Sequence, residues 1–475
     1  MDGAGFPTSA DGQLSAYNSP RVQQPIGTSP SEAVSRFFRS PAKGAALVNE
    51  SKSLCMIPWL HRFTNEQGWH QVCCSGEGSA NTIHDAHGRA LHVDQGLTDS
   101  QVLNSPDLKA IRLAMLQGEW PKVCERCHRS EEAGAVSIRN HINSRFGHWR
   151  ESALGQTAED GTLTQPQVRY ADIRLGNACN LTCRMCGPGA SRLWADHYNE
   201  VQPKGYRLPI SQLNDLRENN WVKSQPVQWL MEQCITSVES LHFAGGEPLI
   251  IPEMIEALEF CVGSGRADQI ELSYNTNITV LPERVTRLWP HFRSVSLLCS
   301  VDAFGRLNEY IRRPSKWSDV DRNLRLLDRH FVEWKIRSVI CSATVQLYNI
   351  LQLGELFDYL AGGFEHIAPV PQLVPLYGPR YLSIQLLPAR VKSIARERLV
   401  AERTKAEAQP KRFHFLLGAI DTILAYLDGA SNALELMEFL QFSEKSDREF
   451  GDSWRQACPE LARLLGFSDR ANARL

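Results

Sequence analysis

The stretch VRYADIRLGNACNLTCRMCGPG, residues 168–189, decides how this chain is read. Tyr170–Leu175 is a short apolar strand bounded by turn residues. Just past it, and before a helical segment, come Cys179, Cys183 and Cys186 with the spacing C-x3-C-x2-C. With 13 cysteines in 475 residues, such a triplet arises by chance in about one chain in a hundred.

Outward from this stretch, strands and helices alternate. Candidate strands are Tyr170–Leu175, Ser240–Phe243, Gln269–Tyr274, Ser294–Ser300, Lys335–Val345 and His366–Val374. Candidate helices are Ala190–Tyr198, Pro252–Val262, Ser318–His330 and Ile350–Leu360. Such alternation predicts a parallel sheet with crossover helices. Six units fall short of the eight of a closed barrel, so the expected fold is α/β, a partial (β/α)6 TIM-like barrel over residues 168–385. A long interval before the second strand leaves room for an insertion. Residues 386–475 read as a helical C-terminal region.

Three thiolates on one tight loop suit a metal site. Structural zinc asks for four ligands. A 4Fe–4S cluster held by three thiolates keeps one iron open to an exogenous ligand, and the C-terminal mouth of a parallel barrel is where active sites collect.

The triplet, followed after the second strand by Gly245-Gly246-Glu247-Pro248, resembles the radical S-adenosylmethionine (SAM) enzymes. The resemblance covers roughly residues 168–385. It implies that Cys179, Cys183 and Cys186 hold a 4Fe–4S cluster and form the catalytic centre, with SAM chelating the open iron. It also implies that the Gly-Gly-Glu-Pro turn meets the SAM amino group: glycines let backbone approach a ligand, and Glu247 brings negative charge to an ammonium. Softer matches are Asn275 in Asn275-Thr276-Asn277, and Ser300 and Asp302, expected near the methionine and ribose of SAM. Arg312, or Arg313, is a candidate for its carboxylate. Thr344 and Gln346 end the fifth strand.

Cys55, Cys73, Cys124 and Cys127 lie in residues 49–150, before a polar linker at about 151–167. Four thiolates in two pairs suit a closed site, either zinc or a second 4Fe–4S cluster. The pattern resembles the twitch domain, the short form of the SPASM domain, which carries an auxiliary iron–sulfur cluster. In that family it usually follows the barrel; here it precedes it. Cys73 is preferred to Cys74 because it completes Gly68-x4-Cys. The single cysteines Cys234, Cys261, Cys299, Cys341 and Cys458 read as core residues.

Composition limits the rest. Lys+Arg is 51 and Asp+Glu 53, a net charge of −2, which argues against a nucleic-acid scaffold. No apolar run suits a membrane span. The N-terminus lacks a secretory pattern, so the expected location is cytoplasmic, with reduced thiols. Residues 1–48 carry 17 Gly, Pro or Ser in the first 44 and are expected to be a disordered tail; Val34–Arg39 is the one short amphipathic stretch. The basic stretch Ala389–Arg412 reads as a solvated helix face.

The resemblance implies reductive cleavage of SAM to a 5′-deoxyadenosyl radical that takes a hydrogen atom from a substrate. The donor would be a flavodoxin or ferredoxin. The first expectation for substrate is a ribosomally made peptide that is oxidised, crosslinked or epimerised. The alternatives are a small molecule such as a sugar or nucleoside, or a non-enzymatic zinc-binding interaction protein.

Overall fold

The computed structural model describes residues 52–467, apart from positions 133, 135, 220, 224 and 431. The tail reading over 1–48, with Val34–Arg39, lies outside the described residues. One open sheet contains β1 (His61–Thr64), β2 (His70–Gln71), β3 (Tyr170–Arg174), β4 (Ser240–Ala244), β5 (Glu271–Thr276), β6 (Ser294–Ser300), β7 (Ile336–Val345) and β8 (Gln372–Pro375). Its order is β2-β1-β3-β4-β5-β6-β7-β8. Every pair is parallel except β1 with β2. The six expected strands are β3 to β8, each beside its successor, as a partial barrel requires.

Helices cover the outer face of the sheet. In helix Trp317–Arg329, Val320, Leu324 and Leu327 fall on one buried stripe at spacings of four and three, the helical period. Each leucine so buried contributes about 1.5–3 kcal/mol. The long interval before β4 holds helices Ile210–Glu218 and Pro226–Cys234. Cys234, Cys261, Cys299, Cys341 and Cys458 are all buried.

The cysteine-rich segment is more closely joined to the barrel than its sequence suggests. β1 pairs in parallel with β3, His61 opposite Tyr170 through Thr64 opposite Ile173. The expected linker holds helix Arg150–Gly155 and a bridge between Thr157 and Leu163. HRFT does not look like a buried strand, because His61 and Arg62 are polar. Their polar groups are nevertheless satisfied inside. Arg62 pairs with Asp99 at 2.7 Å and donates to the Leu97 carbonyl at 3.0 Å. His61 stacks on Tyr170 with ring centroids 4.3 Å apart.

At the far edge, helix Pro410–Leu427 packs against β8 and against helix Ala389–Glu407, covering a strand that would otherwise offer free backbone groups. The basic charges of Ala389–Glu407 are matched by carboxylates: Arg398 pairs with Glu460 at 2.7 Å, Arg403 with Asp421 at 2.8 Å, and Arg396 with Asp428.

Strand alternation gives the sheet two different faces. Leu272, Val295, Leu297 and Cys299 enter the apolar layer. On the other side Asp172, Arg174, His242, Ser273, Asn275 and Ser296 line a cavity of about 880 Å³. Helix Ile138–Phe146 and Cys127 wall it opposite the sheet.

His242 sits on this inner face, its Nδ1 2.9 Å from the Ser273 hydroxyl. Burial first, with Arg174 and Arg145 adding to it and Asp172 opposing, lowers its pKa from 6.5 to about 4. The neutral ring is the form the fold accepts, so its stabilisation holds above pH 6.5 and is lost as pH falls toward 4. The melting temperature should therefore drop between pH 7 and pH 5. In His242→Asn, which keeps an acceptor for Ser273, the drop should be smaller; equal drops would remove His242 from the account.

Candidate active site

The loop after β3 carries the cysteine triplet and is held on all sides. The Asn177 amide donates to the Pro188 and Leu216 carbonyls at 2.8 and 2.6 Å. Ser191 donates to Leu181 O at 2.7 Å, and the Trp194 indole to Cys183 O at 3.1 Å. Backbone bonds from Thr182 to Arg313 O (2.6 Å) and from Arg184 to Ile311 O (2.8 Å) tie it to the segment after β6.

The Gly245-Gly246 turn explains why no other residues serve there. Both glycines have positive φ, 80° and 53°. A Cβ on Gly246 would stand 2.1 Å from Ala178 O, and one on Gly245 would stand 2.8 Å from Gly176 O. The Glu247 amide donates to Ala178 O at 2.8 Å. The turn therefore presses against the backbone that leads directly into Cys179. Sequence reasoning assigned these glycines to close approach of a ligand; the approach seen here is to the cysteine loop.

Glu247 is fully buried. Its carboxylate accepts from Leu249 N (3.1 Å), Thr276 Oγ1 (2.8 Å) and Asn277 N (2.6 Å). Burial outweighs these bonds and raises its pKa to about 7. Pro248 opens the short turn that follows. The segment after β5 is bent: Ile278 has φ 53°, with its carbonyl held by Asn323 Nδ2 at 2.9 Å. A bulky residue in this region stores strain, which concentrates at functional sites.

The sulfurs meet hydrogen-bond donors and a cation. Cys179 Sγ faces Leu181 N at 3.4 Å and Asn277 Nδ2 at 3.9 Å. Cys183 Sγ faces Arg312 Nη1 at 3.9 Å. The Cys183 thiol also hydrogen-bonds to Cys186, which lowers the pKa of Cys186 and raises that of Cys183. Burial pushes the Cys179 thiol up to about 12. Such a donor set suits sulfurs that become thiolates when they take a metal. Gln346 is buried and its side-chain amide has no hydrogen-bond partner among the described residues, as expected of a group reserved for a ligand.

Other sequence candidates are placed differently. Asn275 lines the cavity, and Asn277, two residues further on, is the one that reaches Cys179. Its signal was present in Asn275-Thr276-Asn277, but strand alternation stops at Thr276 and the bend reassigns the face. Ser300 ends β6 on the side shared with Ser296. Asp302 binds Arg312 through Nε at 2.8 Å and accepts from Thr344 N at 2.7 Å, so Arg312 already has a carboxylate partner in the protein. Arg313 turns to Asp452 at 3.1 Å.

Arg184, between two of the cysteines, was not singled out from sequence. It is buried, lies 3.8 Å from the centre of the Tyr310 ring, and pairs with Asp447 at 2.9 Å and Asp452 at 3.4 Å. Tyr310 also donates to Asp447, at 2.9 Å. The C-terminal helix Ala433–Phe450 thus grips the cysteine loop.

In the N-terminal segment, Cys55, Cys124 and Cys127 are within electrostatic reach of one another, and Cys73 of Cys55 and Cys124. Arg139 sits beside Cys55 and Cys127. Burial pushes Cys55 and Cys124 up to about 12. Cys74 lines the cavity near Asp172 and Arg174, and Cys127 lines it as well. Among the described residues no three Cys, His, Asp or Glu close around a single metal ion.

Comparison with known proteins adds one family match, over part of the chain. Residues 173–341 match the Radical SAM superfamily. That span runs from β3 to within β7 and includes the triplet and the Gly-Gly-Glu-Pro turn. Among solved structures, the chain is similar to native anSMEcpe with bound AdoMet, at 15% identity and TM-score 0.37, over 52% of this chain and 63% of that one. It is also similar to Streptococcus suis SuiB bound to S-adenosylmethionine, at 13% identity and TM-score 0.31, over 68% and 67%. A third is SuiB bound to precursor peptide SuiA, at 16% identity and TM-score 0.27, over 50% of each. The match thus spans less than two thirds of anSMEcpe. No curated protein matches.

Two outcomes follow from the geometry of the cysteine loop. Gly246→Ala should displace the Cys179 loop, and iron bound by the purified protein should fall while far-UV circular dichroism stays near that of the parent. Asp447→Ala leaves Arg184 with Asp452 alone and should cost about 3 kcal/mol in denaturant unfolding; a loss below a few tenths would show that the pair does not hold the loop.

Proposed function

We propose that this chain is a radical SAM enzyme acting on a peptide. The observation that carries the reading is the cysteine loop at the C-terminal end of β3, its sulfurs facing amide donors and Arg312, on a sheet whose inner face lines a polar cavity. Cys179, Cys183 and Cys186 would hold the 4Fe–4S cluster, and the Gly245–Pro248 turn, Ser300 and Gln346 border the place for SAM. When bound, these cofactors supply one-electron cleavage of the sulfonium and a 5′-deoxyadenosyl radical able to remove a hydrogen atom.

The residues of the chain have their own tasks. Gly245 and Gly246 fix the loop, Glu247 and Asn277 orient its first cysteine, and Arg312 places positive charge beside Cys183. The cavity walls would position the substrate. A volume of about 880 Å³ lies near the top of the range for single-ligand pockets, room for a short peptide segment. Cys55, Cys73, Cys124 and Cys127 would hold an auxiliary cluster in a twitch-like arrangement, with a flavodoxin or ferredoxin as electron donor and the cytoplasm as location. Among the described residues no helix is long and apolar enough to cross a membrane.

Anaerobic reconstitution tests the proposal. The protein should be brown, with about eight irons from two clusters, and should release 5′-deoxyadenosine from SAM under reduction. Alanine at Cys179, Cys183 and Cys186 should abolish that release. Alanine at Cys124 and Cys127 should lower iron by about four and leave release measurable. A colourless zinc protein would refute the reading.

A further inference from the structure

The cavity mouth has an unusual charge arrangement. Glu271 begins β5, and each of its carboxylate oxygens takes one arginine: Arg145 at 2.7 Å and Arg337 at 3.0 Å. Arg293 belongs to the same rim. Glu271 is opposite Ser294 in the β5–β6 register, and Val295 is opposite Ile336 in the next, so Arg293 and Arg337 each stand one residue from a partner in the ladder. All four residues line the cavity. Arg293 is exposed, and its guanidinium has no ion-pair or hydrogen-bond partner among the described residues. Two guanidiniums therefore hold one carboxylate, and a third on the same lining is left without one.

The other carboxylates of the lining are engaged elsewhere. Asp172 is 3.0 Å from Arg174. Glu239 faces Arg169 at 3.5 Å and accepts from the Trp149 indole at 3.2 Å. None of them offsets the surplus at the rim. The rim is open to water: Arg145 and Arg337 are each 39% exposed. A surplus of guanidiniums beside an enclosed space is the arrangement that recognises carboxylate or phosphate oxygens in paired fashion.

We infer that Arg145, Arg293 and Arg337 form an anion-binding site at the mouth of the barrel cavity, taking a carboxylate or phosphate group of the substrate. It rests on the proposed function in one respect, that the cavity is where the substrate lies. The rim stands at the N-terminal ends of β5, β6 and β7, and the cysteine loop stands at the C-terminal end of β3. An anionic group anchored at the rim would thus leave the reacting carbon to be presented from below the SAM site. On a peptide, the anchored group would be an acidic side chain or the C-terminus.

The test uses the anaerobic, cluster-loaded protein and short fluorescent peptides that differ only in Glu, Gln or Lys, with inorganic phosphate and glutamate as separate competitors. Binding is read by anisotropy. The Glu peptide should bind at least about tenfold more tightly than the Gln peptide, as expected for charge-assisted hydrogen bonds. The margin should shrink as salt rises. Arg293→Gln and Arg337→Gln should each reduce it, and Arg293 is exposed and unpaired, so its replacement leaves the fold intact. Glu271→Gln should widen it, because the competing carboxylate is gone; a purely structural Glu271 would not give that sign.

Equal binding of the Glu and Gln peptides, Glu-peptide binding by the arginine variants that matches the parent, or no binding of any probe overturns the anion site. Phosphate or glutamate binding that depends on the three arginines, with no peptide bound, supports the anion site and overturns the peptide reading. Peptide binding indifferent to charge does the reverse.

Discussion

The geometry of the site depends on one contact of backbone against backbone. The Gly245-Gly246 turn touches the residues between β3 and Cys179 so closely that a single Cβ on Gly246 would overlap Ala178 O at 2.1 Å. Interiors this tight do not deform continuously. Two adjacent parallel strands, β3 and β4, therefore end in loops that hold each other: one carries the cysteines, and the other supplies the glycines and Glu247. Two of the three bonds accepted by Glu247, from Thr276 Oγ1 and Asn277 N, extend the lock to the end of β5. Positions at the ends of three consecutive strands thereby become one rigid unit.

A second lock comes from far along the chain. Arg184 is a buried cation inside the cysteine loop, and a buried cation without a partner is costly. Asp447 and Asp452, some 260 residues later in sequence, supply the partners. The C-terminal helices are thus part of the site's support, besides covering β8. Helical pattern alone says nothing of this, because a charged residue near a helix end looks like any solvated one.

The partial barrel was legible because its signals are local. β6 lies where the strand pattern puts it, and β3, β4, β5 and β7 begin or end within a few residues of expectation. β8 proved shorter than His366–Val374, since only Gln372–Pro375 pairs with β7. The cysteine triplet and the glycine turn were legible for the same reason: spacing and residue type suffice. What escaped was non-local. β1 hid because its polar side chains are neutralised by partners dozens of residues away. Asn277 hid behind Asn275 because the chain bends at Ile278, a conformation that sequence does not advertise for an isoleucine.

The same distinction bears on the inner face of the sheet. On a strand buried on both sides, apolar residues are expected throughout. Here β3, β4 and β5 alternate instead, with Asp172, Arg174, His242, Ser273 and Asn275 turned away from the helices. A barrel filled for stability alone would place branched apolar side chains there. The polar set is satisfied in pairs, Asp172 with Arg174 and His242 with Ser273, which removes most of the penalty of burying it. It leaves the interior polar and open while the outer layer supplies the stability. The charge surplus lies at the strand starts, where Arg145, Arg293 and Arg337 line the cavity, whereas the sulfur-bearing loop follows the C-terminal end of β3, so the two ends of the sheet differ in chemical character.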